Sequence, residues 1–264
     1  MLEIFTYDFM VNAMLASLLA SIAAGVIGTY VVVKRIVFIS GGISHATYGG
    51  IGLGYLLGFN PMFGAIGASI ITAGIVSKVS KKKKQSEDML IGIVWAFGMA
   101  LGIFFINISE GYAPDLMSYL FGNILLVSGT DLILMTVLNI IVISLVYLNF
   151  GKFQAITFDE EFAKSIGINT ERIYLLLLVL IALTVVMLIK LVGIVLVIAL
   201  ISIPPAIAIK YVKSLKQMMV VSVLLGMIFT IFGLFISYYL NLTSGASIIF
   251  VSVIGYLISY FSKR

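Results

Sequence analysis

The sequence predicts an all-α, polytopic membrane protein, and its composition, its apolar segments and its charge distribution support this class. Of its 264 residues, 62% are hydrophobic and only 10% are charged, whereas soluble domains are about 25% charged. Nine apolar segments approach the length that a helix needs to cross a bilayer. They lie at residues 9–33, 36–58, 61–79, 89–108, 131–150, 172–189, 192–210, 217–240 and 245–261. We therefore expect about 8 or 9 transmembrane helices in a single domain, residues 1–264.

The basic residues predict the orientation of these segments. When the spans alternate from an external N-terminus, 15 of the 16 Lys and Arg residues fall on the cytoplasmic side, and only Lys190 falls outside. Among the cytoplasmic residues are the four lysines 81–84, which a solvated loop that fixes topology explains. Such a bias towards the cytoplasm predicts a multi-pass protein of the cell membrane with an external N-terminus and a cytoplasmic C-terminus. It also explains the net charge of +5, so we expect no nucleic-acid partner.

Several kinds of chemistry are missing from the sequence. There is no cysteine, which excludes thiolate metal sites. No segment fits the phosphate-binding pattern G-x-x-x-x-G-K-[ST], so we expect no ATP hydrolysis by this chain, no enzymatic activity and no permanently bound cofactor. No carboxylate lies in the middle of a span, so the relay of a proton-coupled transporter is not visible.

The second span is unusual because residues 39–58 contain seven glycines and the only histidine of the chain. Small residues recur there at every fourth position and predict a helix face against which another backbone can pack, namely Gly42, Ala46, Gly50, Gly54 and Gly58. A similar row from Ala16 to Gly28 favours packing of the first two spans on each other. His45 lies beside the glycine face, where an ionisable side chain usually marks a functional position. Its alternative is a neutral histidine hydrogen-bonded to a neighbouring carbonyl or to Tyr48.

Two shorter segments lie between spans. Residues 116–127 are apolar but too short to cross, which predicts a re-entrant or interfacial helix on the outer side. On the cytoplasmic side, a short helix is expected to begin at Asp159 and to stop at Gly167. Its apolar stripe, Phe158, Phe162 and Ile166, indicates docking of a soluble partner or, alternatively, a helix lying on the membrane surface. The residues assigned to docking are Asp159, Glu160, Phe162, Ala163, Ile166 and Gly167.

The seventh span contains Pro204 and Pro205 in succession. Two missing N–H donors predict a kink or break, and the freed carbonyls need partners inside the protein. Discontinuous helices of this kind line transport sites, and a purely structural kink is the alternative.

Five segments, in order, resemble the permease subunits of binding-protein-dependent ABC importers for zinc, manganese or iron. They are ISGGISHATYGGIGLG, PDLMSYLFGNIL, FDEEFAKSIGI, VGIVLVIALISIPPAIA and LTSGASIIF, and the resemblance covers nearly the whole chain. It implies a homodimeric pore in the lipid bilayer, two cytoplasmic ATPase subunits that use ATP and dock on the helix around residues 159–167, and an extracytoplasmic metal-binding protein. The cargo would be a divalent ion of zinc, manganese or iron, moved by alternating access.

The resemblance also matches His45 to the second-span histidine of the family, which lies on the metal path. Many members carry an aspartate four residues earlier, where this chain has Gly41. Two copies of His45 in a dimer would offer two nitrogen ligands. The remaining alternatives are an ABC permease for a metal chelate, such as a siderophore or cobalamin, and a secondary transporter.

Overall fold

The computed structural model describes residues 7–80, 87–109 and 116–262, and every regular element within these ranges is helical. The helices are α1 (Asp8–Val33), α2 (Val37–Leu57), α3 (Pro61–Ser80), α4 (Glu87–Ile108), α5 (Leu116–Phe121), α6 (Gly129–Leu148), α7 (Phe150–Phe158), α8 (Glu160–Ser165), α9 (Thr170–Ala208), α10 (Leu215–Leu240) and α11 (Ser244–Ser262), with a 3-10 turn at Ile124–Leu126. The predicted all-α class is confirmed. Several of the basic residues used to predict the orientation lie outside the described residues, namely the lysines 81–84, Lys263 and Arg264.

Within the described ranges, eight helical segments are long and apolar enough to cross a membrane: α1, α3, α4, α6, α10, α11 and two parts of α9. The chain is therefore a multi-pass membrane protein. The ninth predicted span, α2, is not among them because its glycines, serines and histidine lower its hydropathy. It is nevertheless 21 residues long, and almost every residue from Ile39 to Gly54 is buried by protein. Since protein rather than lipid surrounds α2, its side chains do not need to be apolar.

The chain forms two compact units, one of residues 1–35, 117–145 and 187–264, the other of residues 36–116 and 146–186. In the first unit, α1 packs against α10, with Gly25 facing the backbone of Val223 and the hydroxyls of Ser21 and Thr230 3.2 Å apart. In the second unit, α2 packs against α3 and α4. The small faces of α1 and α2 thus have helix partners other than those that the sequence pattern suggested. The prediction of one domain stays a prediction.

The long helix α9 is interrupted at Gly193, where φ is 76° and ψ is 164°. It is not interrupted at Pro204 and Pro205, so the predicted break lies about three turns from its expected position. Pro205 has no N–H to donate to the carbonyl of Ile201. That carbonyl oxygen instead lies against Gly28 of α1, where any Cβ would overlap it. The freed oxygen is therefore covered inside the protein by a residue that has to be glycine.

Residues 116–127 form α5 and the 3-10 turn rather than a span, as the sequence predicts. Their backbone meets that of α9 at two glycines with positive φ, since a Cβ on Gly122 would overlap Val192 and one on Gly193 would overlap Leu120. The first turn of α11 joins them: Gly245 lies against the carbonyl of Phe121. We call this contact of Gly122, Gly193 and Gly245 the glycine junction. In the same place, the N–H of Ile124 donates to Ser244 Oγ at 3.0 Å.

Candidate functional site

The small face of α2 brings three helices into close contact. Gly50 and Gly64 of α3 face each other's backbone so closely that a methyl group on either would overlap the carbonyl of the other. One turn later, Gly54 lies against the Cα of Pro61, at the start of α3. Towards α4, Gly42 meets the side chain of Ile91, and Ala46 lies against Gly98. The four α2 positions Gly42, Ala46, Gly50 and Gly54 therefore fix where α3 and α4 cross α2.

His45 projects from α2 into this packed region and is only 5% exposed. Its Nδ1 lies 2.9 Å from the carbonyl oxygen of Gly41, one turn earlier. A carbonyl can only accept, so Nδ1 carries a proton; in the neutral ring Nε2 then keeps its lone pair. The contact with a neighbouring carbonyl is the one expected of a structural histidine. It also leaves Nε2 as the nitrogen with which the ring can bind a metal.

The face of the His45 ring is covered by Trp95 of α4. The two ring centroids are 3.7 Å apart, and the rings are inclined by 20°. Together, the Gly41 hydrogen bond and the Trp95 stack restrict both the rotation and the tilt of the imidazole. The position of Nε2 is therefore set by two helices rather than by α2 alone.

Few ligands accompany His45. Within the described residues, no group of three His, Cys, Asp or Glu side chains could hold a metal ion. A cavity of about 410 Å³ lies beside the small face of α2, lined by glycines and apolar side chains of α2, α3 and α4, with Thr72 as the polar side chain in its wall. It offers space but no set of metal ligands. An ion that meets this chain at His45 would be held weakly, because tetrahedral sites for metals such as zinc use four ligands.

The segment assigned to docking has a well-defined geometry. Asp159 caps α8, its carboxylate accepting from the N–H of Phe162 at 2.9 Å, and Glu160 pairs with Lys164 at 3.0 Å. The helix ends at Gly167, whose φ is 81°. There the N–H of Ile168 donates to the carbonyl of Ala163 at 3.0 Å, which is a helix-terminating arrangement that favours glycine.

The apolar stripe of this segment faces outwards. Phe158, Phe162 and Ile166 are 65%, 56% and 55% exposed, whereas Ala163 is fully buried. The preceding helix α7 was not predicted from the sequence. It is anchored by buried Phe153 and Ile156. Their spacing of three residues was the available signal. The stripe is thus an exposed apolar surface that follows a helix anchored by buried side chains.

Two features of the site were missed in the sequence. Trp95 is a single aromatic residue within an apolar run, and nothing in its pattern indicates that it faces a histidine. Gly98 and Gly102 of α4, by contrast, are spaced by four and meet the backbone of α2 at Ala46 and Tyr48. Their spacing was a usable signal of a close helix crossing.

Comparison with known proteins identifies the class. The profile of the ABC 3 transport family matches residues 6–263, so this chain belongs to that family. It is 49% identical over its whole length to an uncharacterized membrane protein of Synechocystis sp., covering 94% of that protein. It is 34% identical to the manganese transport system membrane protein MntC of Listeria monocytogenes, over 96% of this chain and 90% of that protein.

A solved structure has the same fold. The chain matches the structure of PsaBC from Streptococcus pneumoniae in complex with Fab with a TM-score of 0.88 and 32% identity, over 97% of this chain and 92% of that one. Both the membrane fold and most of the length of these relatives are therefore represented in the present chain.

Proposed function

We propose that this chain is the permease subunit of an ABC importer that carries a divalent metal ion, with manganese as the first cargo to test ahead of zinc and iron. The observation that carries this proposal is the match, over 96% of the chain, with a membrane protein of a manganese transport system. The PsaBC structure supports the same assignment by fold. We infer a homodimer, since one chain presents a single imidazole to the ion.

The energy for transport would come from two cytoplasmic ATPase subunits, because the sequence has no phosphate-binding loop of its own. The exposed stripe of Phe158, Phe162 and Ile166 is the surface proposed to receive them. ATP-driven closure of the two ATPase subunits would then move α8 and, through it, the spans. A separate extracytoplasmic protein would deliver the metal to the outer face.

His45 is proposed as a weak point of contact on the metal path. In a dimer, two copies would contribute two Nε2 atoms, fewer than the four ligands of a closed tetrahedral site. Weak binding suits conduction, because an ion has to leave each point that it enters. The path therefore depends on the binding protein, rather than on this chain, for most of its choice of metal.

The proposal is tested by uptake of radiolabelled manganese into vesicles that contain the chain, its ATPase subunit and, outside, the binding protein. Uptake is expected to require all three proteins and ATP, and vesicles with the chain alone should take up none. Uptake by the chain alone, driven by an ion gradient, would identify a secondary transporter instead. Zinc, iron and a metal chelate, each offered in competition, rank the cargoes.

A further inference from the structure

A narrow groove lies between the last part of α9 and α11. On α9 its wall is made by Ser202 and Ala206, which are small and spaced by four, together with Ile203. On α11 it is made by Val253 and Tyr256. These five residues line a cavity of about 220 Å³. Both helices are long and apolar enough to be membrane spans, so the groove lies at the depth of lipid chains.

The groove ends at a lysine. Lys210 continues the row of Ser202 and Ala206 by one more step of four residues, just beyond the end of α9. Its Nζ lies 4.7 Å from the centroid of the Tyr256 ring and 5.1 Å from that of Tyr260. Tyr256 therefore lines the groove and also holds the positively charged Lys210 at its mouth, in a cation–π contact.

The mouth is held together by a second contact, between α11 and the turn that follows α9. The hydroxyl of Tyr211 lies 3.1 Å from Ser259 Oγ, and the rings of Tyr256 and Tyr260 stack with centroids 6.4 Å apart. Within the described part of the chain, no carboxylate pairs with Lys210. The charge of Lys210 is thus positioned by aromatic rings and, among the residues that the structure describes, is not neutralised by an acidic side chain.

The outward face of α11 near this groove is apolar. Phe250, Ile258 and Phe261 are 66%, 64% and 69% exposed, as expected of a surface in contact with hydrocarbon. An acyl chain can therefore reach the groove from the bilayer. A phosphate at the end of that chain would meet Lys210, because basic residues at the ends of membrane helices attract anionic head groups.

We propose that this groove binds an anionic phospholipid, with one acyl chain along Ser202 and Ala206 and the phosphate at Lys210. The phospholipid is favoured over a second copy of the chain because a charge that no described carboxylate neutralises lies at the mouth of a mainly apolar groove. The site would hold α9 and α11 together near the membrane surface. The inference stands apart from the proposed metal transport, since it depends on neither His45 nor the cargo.

The test measures how many lipids the purified full chain retains, by native mass spectrometry after titration with phosphatidylglycerol or phosphatidylcholine. Wild-type chain is expected to retain one phosphatidylglycerol in preference to phosphatidylcholine. Lys210→Gln should reduce that preference about fivefold, the contribution of one lysine near an anionic surface. Lys213→Gln, an exposed lysine that follows the same helix, is the matched control and should leave the preference unchanged.

A second variant, Ala206→Leu, fills the groove and is expected to reduce retention of both lipids, with folding checked by circular dichroism. Equal retention of phosphatidylglycerol by wild type and Lys210→Gln would overturn the proposal, whatever the fate of Ala206→Leu. The proposal would also fail if Ala206→Leu altered the oligomeric state without altering lipid retention, because the groove would then be an interface between copies.

Discussion

At the scale of single residues, the role of His45 depends on the partners of its two ring nitrogens. The Gly41 carbonyl occupies Nδ1 at 2.9 Å, and Trp95 covers the ring face at 3.7 Å between centroids. An aspartate at position 41 would add a hard carboxylate ligand beside the ring; here the position is glycine and contributes a backbone acceptor. This chain therefore supplies a positioned nitrogen with little charge around it.

The first prediction concerns His45→Ala. If His45 lies on the path, uptake at limiting metal should fall roughly tenfold, in line with the loss of a group that supports metal binding. Trp95 is the only tryptophan of the chain, so its fluorescence reports on the same site. Manganese, which is paramagnetic, should quench this emission in the wild-type protein and much less in His45→Ala. Tyr48→Phe is the control, because it removes a polar group from the same buried helix and keeps the ring.

Unchanged uptake in His45→Ala would assign the histidine a structural role. In that case the Gly41 hydrogen bond and the Trp95 stack would be its whole function. Circular dichroism and the emission of Trp95, which reports on burial of the contact between α2 and α4, distinguish a loss of uptake caused by unfolding from one caused by the missing imidazole.

At the scale of elements, glycines decide where helices stop and cross. Gly193 interrupts α9, and its backbone fits against Leu120 only because it has no side chain. Gly122, which also has a positive φ, lies opposite Gly193 in the segment of residues 116–127. The glycine junction is therefore a backbone-to-backbone contact that three separate parts of the sequence have to form together.

The second prediction is that Gly193→Ala destabilises the protein. At the φ of 76° and ψ of 164° found at Gly193, a region that is essentially restricted to glycine, another residue costs about 1–3 kcal/mol, and forcing a methyl group into a packed contact costs about 1–3 kcal/mol more. Thermal unfolding in detergent, followed by circular dichroism, should show a clearly lowered midpoint. Gly92→Ala in α4 is the matched control, because a Cβ there meets nothing within 4 Å. Equal midpoints for Gly193→Ala and the wild type would contradict this view of the junction.

The third prediction concerns α8. Phe162→Ser should reduce recovery of the ATPase subunit with the purified chain, since it removes an exposed apolar contact from the centre of the stripe. The chain itself should remain folded, because a surface change of this kind usually alters stability by no more than about 0.5 kcal/mol. Glu161→Gln, on the same helix and also exposed, should not affect recovery. Undiminished recovery with Phe162→Ser would favour the alternative of a helix on the membrane surface.

Sequence patterns predicted these elements unevenly, for physical reasons. Long apolar runs and a capped helix start at Asp159 are local features, and both were located from the sequence. The interruption of α9 was assigned to Pro204 and Pro205 because proline has the stronger local signal, whereas Gly193 is one glycine in an apolar run. A row of small residues shows that a backbone approaches but not which one. For the same reason Trp95 could not be assigned to His45, since their contact depends on how α2 and α4 pack.

At the scale of the whole molecule, charge rather than hydrophobicity predicts which side of the membrane each helix end faces. Eight segments in the described part of the chain are long and apolar enough to cross a membrane, yet none of them indicates which end faces the cytoplasm. The basic residues do, because lysine and arginine in short loops are retained on the cytoplasmic side. The proposed docking of an ATPase on α8 depends on that orientation.

The fourth prediction tests this orientation through the absence of cysteine. Single cysteines are introduced at Thr130 and Leu242, near the predicted outer ends of α6 and α10, and at Lys152 and Lys213, near the predicted inner ends. All four positions are exposed. In intact cells, a membrane-impermeant maleimide should label Thr130→Cys and Leu242→Cys, whereas Lys152→Cys and Lys213→Cys should react only after permeabilisation. The wild-type chain, which cannot react, sets the background. The inverse pattern would place α8 outside the cell, where no ATPase could reach it, and would remove the basis for an ATP-driven importer.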